Sequence, residues 1–148
     1  MPSLRGVVTT LVASAVQSAS GNSGILNLPT LMGGEPDGVQ FILNVSASST
    51  PTTLDVYLQW SPNTGTTWYD FGHFAQVGAV STSIQSLNYA RRSQALITAS
   101  TAVIVTGDAV LAASTVINAP IASNYFRVKW VLAGTSYTFQ VFACLDRD

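Results

Sequence analysis

Four stretches of this chain place apolar residues at every second position. Val39, Phe41, Leu43 and Val45 form the first series, and Leu54, Val56, Leu58 and Trp60 the second. Phe126, Val128, Trp130 and Leu132 form the third, and Tyr137, Phe139, Val141, Ala143 and Leu145 the last. A repeat of two is the repeat of a β-strand, whose successive side chains leave opposite faces. Each series therefore predicts a strand with one face on a core, the pattern of antiparallel sheets. Turn formers separate the series: Gly33-Gly34-Glu35-Pro36-Asp37-Gly38, Ser48-Ser49-Thr50-Pro51-Thr52, Ser61-Pro62-Asn63-Thr64-Gly65 and Ala133-Gly134-Thr135-Ser136. The last two are read as hairpin turns. With Glu and Lys scarce and no helical period, the expected fold is all-β, an antiparallel β-sandwich or jelly-roll.

The chain of 148 residues suits one domain. Residues 18–148 are read as the β-sandwich domain, and residues 1–17 as an N-terminal arm or first strand. The opening has the order of a weak secretory leader, with Ala13-Ser14-Ala15 as a cleavage-like site. Its apolar stretch is broken by Thr9, Thr10 and Ser14, and its basic region is Arg5 alone, so a strand or arm is the better reading.

Charge is where this chain departs from ordinary domains. Asp, Glu, Lys and Arg make up 9% of it, against roughly 25% in a typical soluble protein. Hydrophobic residues make up 47%, yet no apolar run approaches the ~20 residues of a spanning helix. A surface so poor in charge is poorly protected from its neighbours. Burial against copies of itself or a larger assembly resolves this. The candidate interface residues, chosen for hydrophobicity, are Leu4, Val7, Val8 and Leu11 in the arm and Val103, Val105 and Val110 in the middle segment. There, residues 102–106 and 110–117 read as strands joined at Gly107-Asp108.

Scarcity also removes chemistry. A net charge of −1 gives no footprint for nucleic acid or an anionic membrane. One cysteine, Cys144, excludes an internal disulfide. One histidine, His73, has no ligand spacing around it for a metal. A Ser-His-Asp set can be assembled only from an unmarked serine with His73 and Asp70. Asp55 and Asp70 sit on separate strands, and Glu35 and Asp37 share a loop. No catalytic, cofactor or metal residue is assigned, and an enzyme is not expected.

The segment Ser61-Pro62-Asn63-Thr64-Gly65-Thr66-Thr67-Trp68 is similar to the Asp-box of sialidases and other β-propellers. Its physics is local. Asn63 is suited to bonding the amides of the turn, Gly65 to a positive φ, and Trp68 to packing back as the next strand begins. Ser61, Asn63, Gly65 and Trp68 are thus read as a structural hairpin. Tyr57 and Tyr69, out of phase with the inward residues, join Trp68, Tyr89 and Tyr125 as candidates for exposed aromatics. A row of these would make a glycan-binding face.

The run from Leu54 to Asp70, with its Ser-Pro-Asn-Thr-Gly-Thr-Thr-Trp hairpin, resembles a segment of small structural proteins of tailed bacteriophages. Asn124-Tyr125-Phe126-Arg127-Val128-Lys129-Trp130, Ser136-Tyr137-Thr138-Phe139-Gln140-Val141 and Ala19-Ser20-Gly21-Asn22-Ser23-Gly24-Ile25-Leu26-Asn27-Leu28 carry the same likeness. It covers about two-thirds of the chain and leaves out residues 94–117. The resemblance implies a virion protein of the head decoration, or cement, type. Such a protein is made in the host cytoplasm, forms a homo-oligomer (a trimer is expected), and binds the major capsid protein on the shell's outer surface. A glycan- or receptor-binding module of the tail or head, or a neck or tail component, is the alternative.

Overall fold

The computed structural model describes residues 7–27, 38–78, 82–90, 106–107 and 125–146. Among them every regular element is a strand. These are β1 (Val7–Gln17), β2 (Gly21–Asn22), β3 (Leu26–Asn27), β4 (Gly38–Trp60), β5 (Tyr69–His73), β6 (Ser83–Ala90), β7 (Thr106–Gly107) and β8 (Tyr125–Asp146). All pairings are antiparallel and belong to one sheet. The all-β antiparallel expectation is met.

Two strands of 23 and 22 residues, β4 and β8, are the spine of the sheet. They pair along their whole length, from Gly38 opposite Asp146 to Trp60 opposite Phe126. One end of this ladder is flanked by β1 on β8 and β6 on β4. The other end is flanked by β2 and β3 on β8 and by β5 on β4, with β7 beyond β5.

Two turn clusters of the sequence become something else. Ser48-Ser49-Thr50-Pro51-Thr52 lies inside β4, and Ala133-Gly134-Thr135-Ser136 inside β8. They face each other, Ser49 opposite Ser136 and Pro51 opposite Gly134. The chain does not reverse at either place, so the expected hairpin at residues 133–136 is replaced by a bend shared by both strands. Register shifts between Val45 and Ala47 and between Pro51 and Thr53 each insert one residue into β4. Extra residues of this kind bend a strand and increase its twist. Thr50 (φ 43°) and Gly134 (φ 103°) take the left-handed backbone that the bend requires.

The bend also switches the phase of the core. Before it β4 buries odd-numbered residues, Val39, Phe41, Leu43 and Val45; after it, even-numbered Leu54, Val56 and Leu58. β8 does the same between Trp130 and Tyr137. The sheet curls, and the inner faces of its two halves meet. Phe41 packs edge-on against Phe71 and Phe126, each at 5.9 Å between centroids, and Trp130 against Phe139 at 5.6 Å. Leu11 and Val12 of β1 belong to the same core. Fully burying such side chains stabilises by about 1.5–3 kcal/mol each.

Candidate functional site

The non-core side of β4 and β5, after the bend, holds most of the buried polar groups among the described residues. Asp55, Tyr57 and Gln59 alternate with the core residues of β4, yet all are buried. A regular β5 would send Asp70 and His73, three residues apart, to opposite faces. A register shift opposite Leu58 and Gln59 makes Phe71 an extra residue: His73 pairs with Tyr57, and Asp70 with Gln59. Both polar residues thereby join the face of Asp55, while the Phe71 ring reaches Phe41 in the core.

Two networks result. The His73 Nε2 lies 3.1 Å from Asp55 Oδ1, and Gln76 Nε2 donates to Asp55 Oδ2 at 2.8 Å. The Tyr57 ring stacks flat on His73, 4.2 Å between centroids and 6° between planes. Beside them Gln59 Nε2 donates to Asp70 Oδ1 at 2.6 Å, and Arg127 Nε donates to Gln59 Oε1 at 2.7 Å. The Arg127 guanidinium covers the Trp68 ring at 4.3 Å. Burial, and then the carboxylates of Asp55 and Asp70, push the Tyr57 hydroxyl from 10.0 up to about 12. Burial, followed by Asp55, also raises Tyr137, whose hydroxyl donates to the Gly78 carbonyl at 3.1 Å.

This arrangement goes beyond the sequence expectation in two ways. Asp55 and Asp70 lie on strands that neighbour each other in the sheet, and a carboxylate bonded to His73 is that of Asp55. A histidine beside a carboxylate is the base half of a nucleophilic site. Here His73 is 0% exposed. The pair's physical effect is to fix register, because buried polar groups are costly unless paired.

The Ser61–Trp68 turn is built around two oxygens. Ser61 Oγ accepts from the Asn63 and Gly65 amides, and Asn63 Oδ1 accepts from the Thr67 amide at 2.8 Å. Gly65 has φ 106°, and Trp68 Nε1 donates to the Gly65 carbonyl at 3.1 Å. A Cβ on Gly65 would come within 2.4 Å of the Ile25 side chain, so the turn also seats the loop between β2 and β3.

Among the described residues the candidate aromatics are not a row of fully exposed rings. Tyr57 and Trp68 are buried, Tyr69 leans on Trp60, and Tyr125 is half-buried. The Tyr89 side chain lies outside the described residues. Of the interface candidates, Leu4, Val103, Val105 and Val110 also lie outside them, as do Glu35, Asp37 and the segment 110–117. Of the tip at Gly107-Asp108, Gly107 pairs with Tyr69 of β5. Val7 and Val8 are exposed. Leu11 is buried in the chain's own core: it follows Val7 and Thr9 in the alternation that faces the inward residues of β8, and the register shift after Thr10 brings Val12 inward beside it. The stretch 7–17 is thus an integral strand of the sheet rather than a free arm.

A second surface was not legible as such in the sequence. Before the bend β4 lies between β8 and β6, with β1 outside β8, making a block four strands wide. Residues 7–17, 38–49, 83–90 and 136–145 contain no Asp, Glu, Lys, Arg or His. The described charged side chains, Asp55, Asp70, Arg127 and Lys129, all belong to the other half. The outer face of the block alternates amides (Gln40, Asn44, Gln140) and hydroxyls (Ser86, Thr138) with Val8, Ile42, Phe142, Cys144 and Ile84. Val8 is 67% and Ile84 76% exposed.

A scan against protein-family models gives no match for the chain, and a comparison with curated proteins gives no significant relative. No helix among the described residues is long and apolar enough to cross a membrane.

Proposed function

We propose that this chain is a non-enzymatic structural protein of a tailed-phage virion, a decoration or cement protein that assembles with its own copies and binds the outer surface of the head. The curled sheet is read as a two-layer sandwich whose layers meet through Phe41, Phe71 and Phe126. The observation that carries the reading is the segregation of charge. Half of the sheet presents a broad outer face that carries no Asp, Glu, Lys, Arg or His until Asp146 at its end, together with strongly exposed Val8 and Ile84. Monomers rarely keep such a face uncovered.

Two further features agree with it. Among the described residues no strand pairs with the outer edges of β1 and β6, and neither strand carries the lysine that commonly guards an edge. The one histidine of the chain is enclosed and committed to Asp55, which supports a role in holding structure rather than in turnover. Contacts of modest strength, repeated by each oligomer on a shell, combine through effective concentration.

The test is to add purified protein to heads that lack it. Saturable binding, with greater resistance of the heads to heat or low ionic strength, is expected. Absence of binding, alongside specific capture on a glycan array, would replace the cement reading with the receptor-binding alternative.

A further inference from the structure

We infer that the uncharged outer face of the β1–β8–β4–β6 block packs on the same face of a second copy of this chain. The inference rests on the assembly reading and names the occupant of that face.

Three observations select that occupant. First, residues 7–17, 38–49, 83–90 and 136–145 of the block carry no Asp, Glu, Lys or Arg, the charged residue Asp146 standing at its very end opposite Gly38, so a duplicate face brings no like charges together across its middle. A partner presenting ionised groups would have to bury them without counter-charges, at a cost of several kcal/mol each. Second, the polar members at its centre, Gln40, Asn44 and Gln140, are amides. An amide carries both donors and acceptors and can therefore bond its own kind, as a face of carboxylates or ammonium groups cannot. Third, the size is adequate. Four strands spaced about 4.8 Å apart and about eight residues long give a flat footprint of roughly 500 Å². Side-chain relief raises this toward the ~600–800 Å² per partner of the smaller specific interfaces.

Ile42 and Ile84 lie on this face, on neighbouring strands, and Ile84 is 76% exposed. A face that packs on its own copy is closed by a two-fold axis. The oligomer therefore contains an even number of chains, rather than the three implied by the phage resemblance.

The experiment is light-scattering mass over a range of concentrations for the full chain and three variants, with circular dichroism as a check on folding. Ile84→Arg and Ile42→Arg place a charge in the face; Ile25→Arg is the control, exposed on the β2–β3 loop of the other half. Wild type and Ile25→Arg are expected at even multiples of the chain mass. Ile84→Arg is expected to weaken association by about 100-fold or more. An odd multiple for wild type, a wild-type monomer, or undiminished association of both folded face variants overturns the inference. Binding to heads is read separately with the same samples, so a wild type that coats heads without self-pairing refutes this face and leaves the cement role standing.

Discussion

Pro51 of β4 lies directly opposite Gly134 of β8, at the point where both strands bend without leaving their ladder. A turn former on each strand lets the two longest strands fold over together and lets their core residues change phase. The curl of the sheet depends on that juxtaposition.

Gly134 is the more exacting partner, since its φ of 103° is one that side chains rarely adopt. Gly134→Val is expected to cost about 1–3 kcal/mol, read as a lower midpoint in urea with an unchanged slope.

The period-two series placed the inward residues of both long strands correctly on either side of the bend. What the series could not show is that residues 48–52 and 133–136 oppose each other. The same Gly, Pro and Ser chemistry serves a reversal or a bend, and only the pairing distinguishes them. The polar face was hidden for a similar reason. Counting by two from Asp70 puts His73 on the wrong side, because one extra residue at Phe71 is invisible to a periodic reading. Tyr57 reads as exposed because alternation reports which face is polar, not whether that face is covered.

Asp55 and His73 are expected to be energetically coupled. Removing either partner by mutation to Ala takes a buried hydrogen bond from the other, at about 1–3 kcal/mol. A double-mutant cycle measured by denaturation should give a coupling above about 1 kcal/mol. Additive losses would mean that the 3.1 Å contact carries no weight.

Tyr57 makes the fold sensitive to alkali. Its folded value of about 12 lies above the ordinary 10.0, so its contribution is complete below pH 10 and is lost as the pH rises toward 12. At about 1.4 kcal/mol per unit the loss is about 3 kcal/mol. Tyr57→Phe keeps the ring on His73 and is expected to flatten this part of the stability profile, measured by denaturant midpoints across that range.

Gly65→Ala combines a strained φ with a clash against Ile25. A loss of about 1–3 kcal/mol is expected. Pairing it with Ile25→Ala should recover part of the loss, because the clash is relieved and the backbone strain is not; thermal melts of the three variants check this.

The central claim is placement on a phage head, and the most direct measurement is an electron-microscopy difference map of heads with and without the bound protein. Regularly spaced density on the outer surface of the shell, bridging neighbouring capsid subunits, is the predicted result. Density confined to the tail or neck, or no added density at saturating protein, would contradict it.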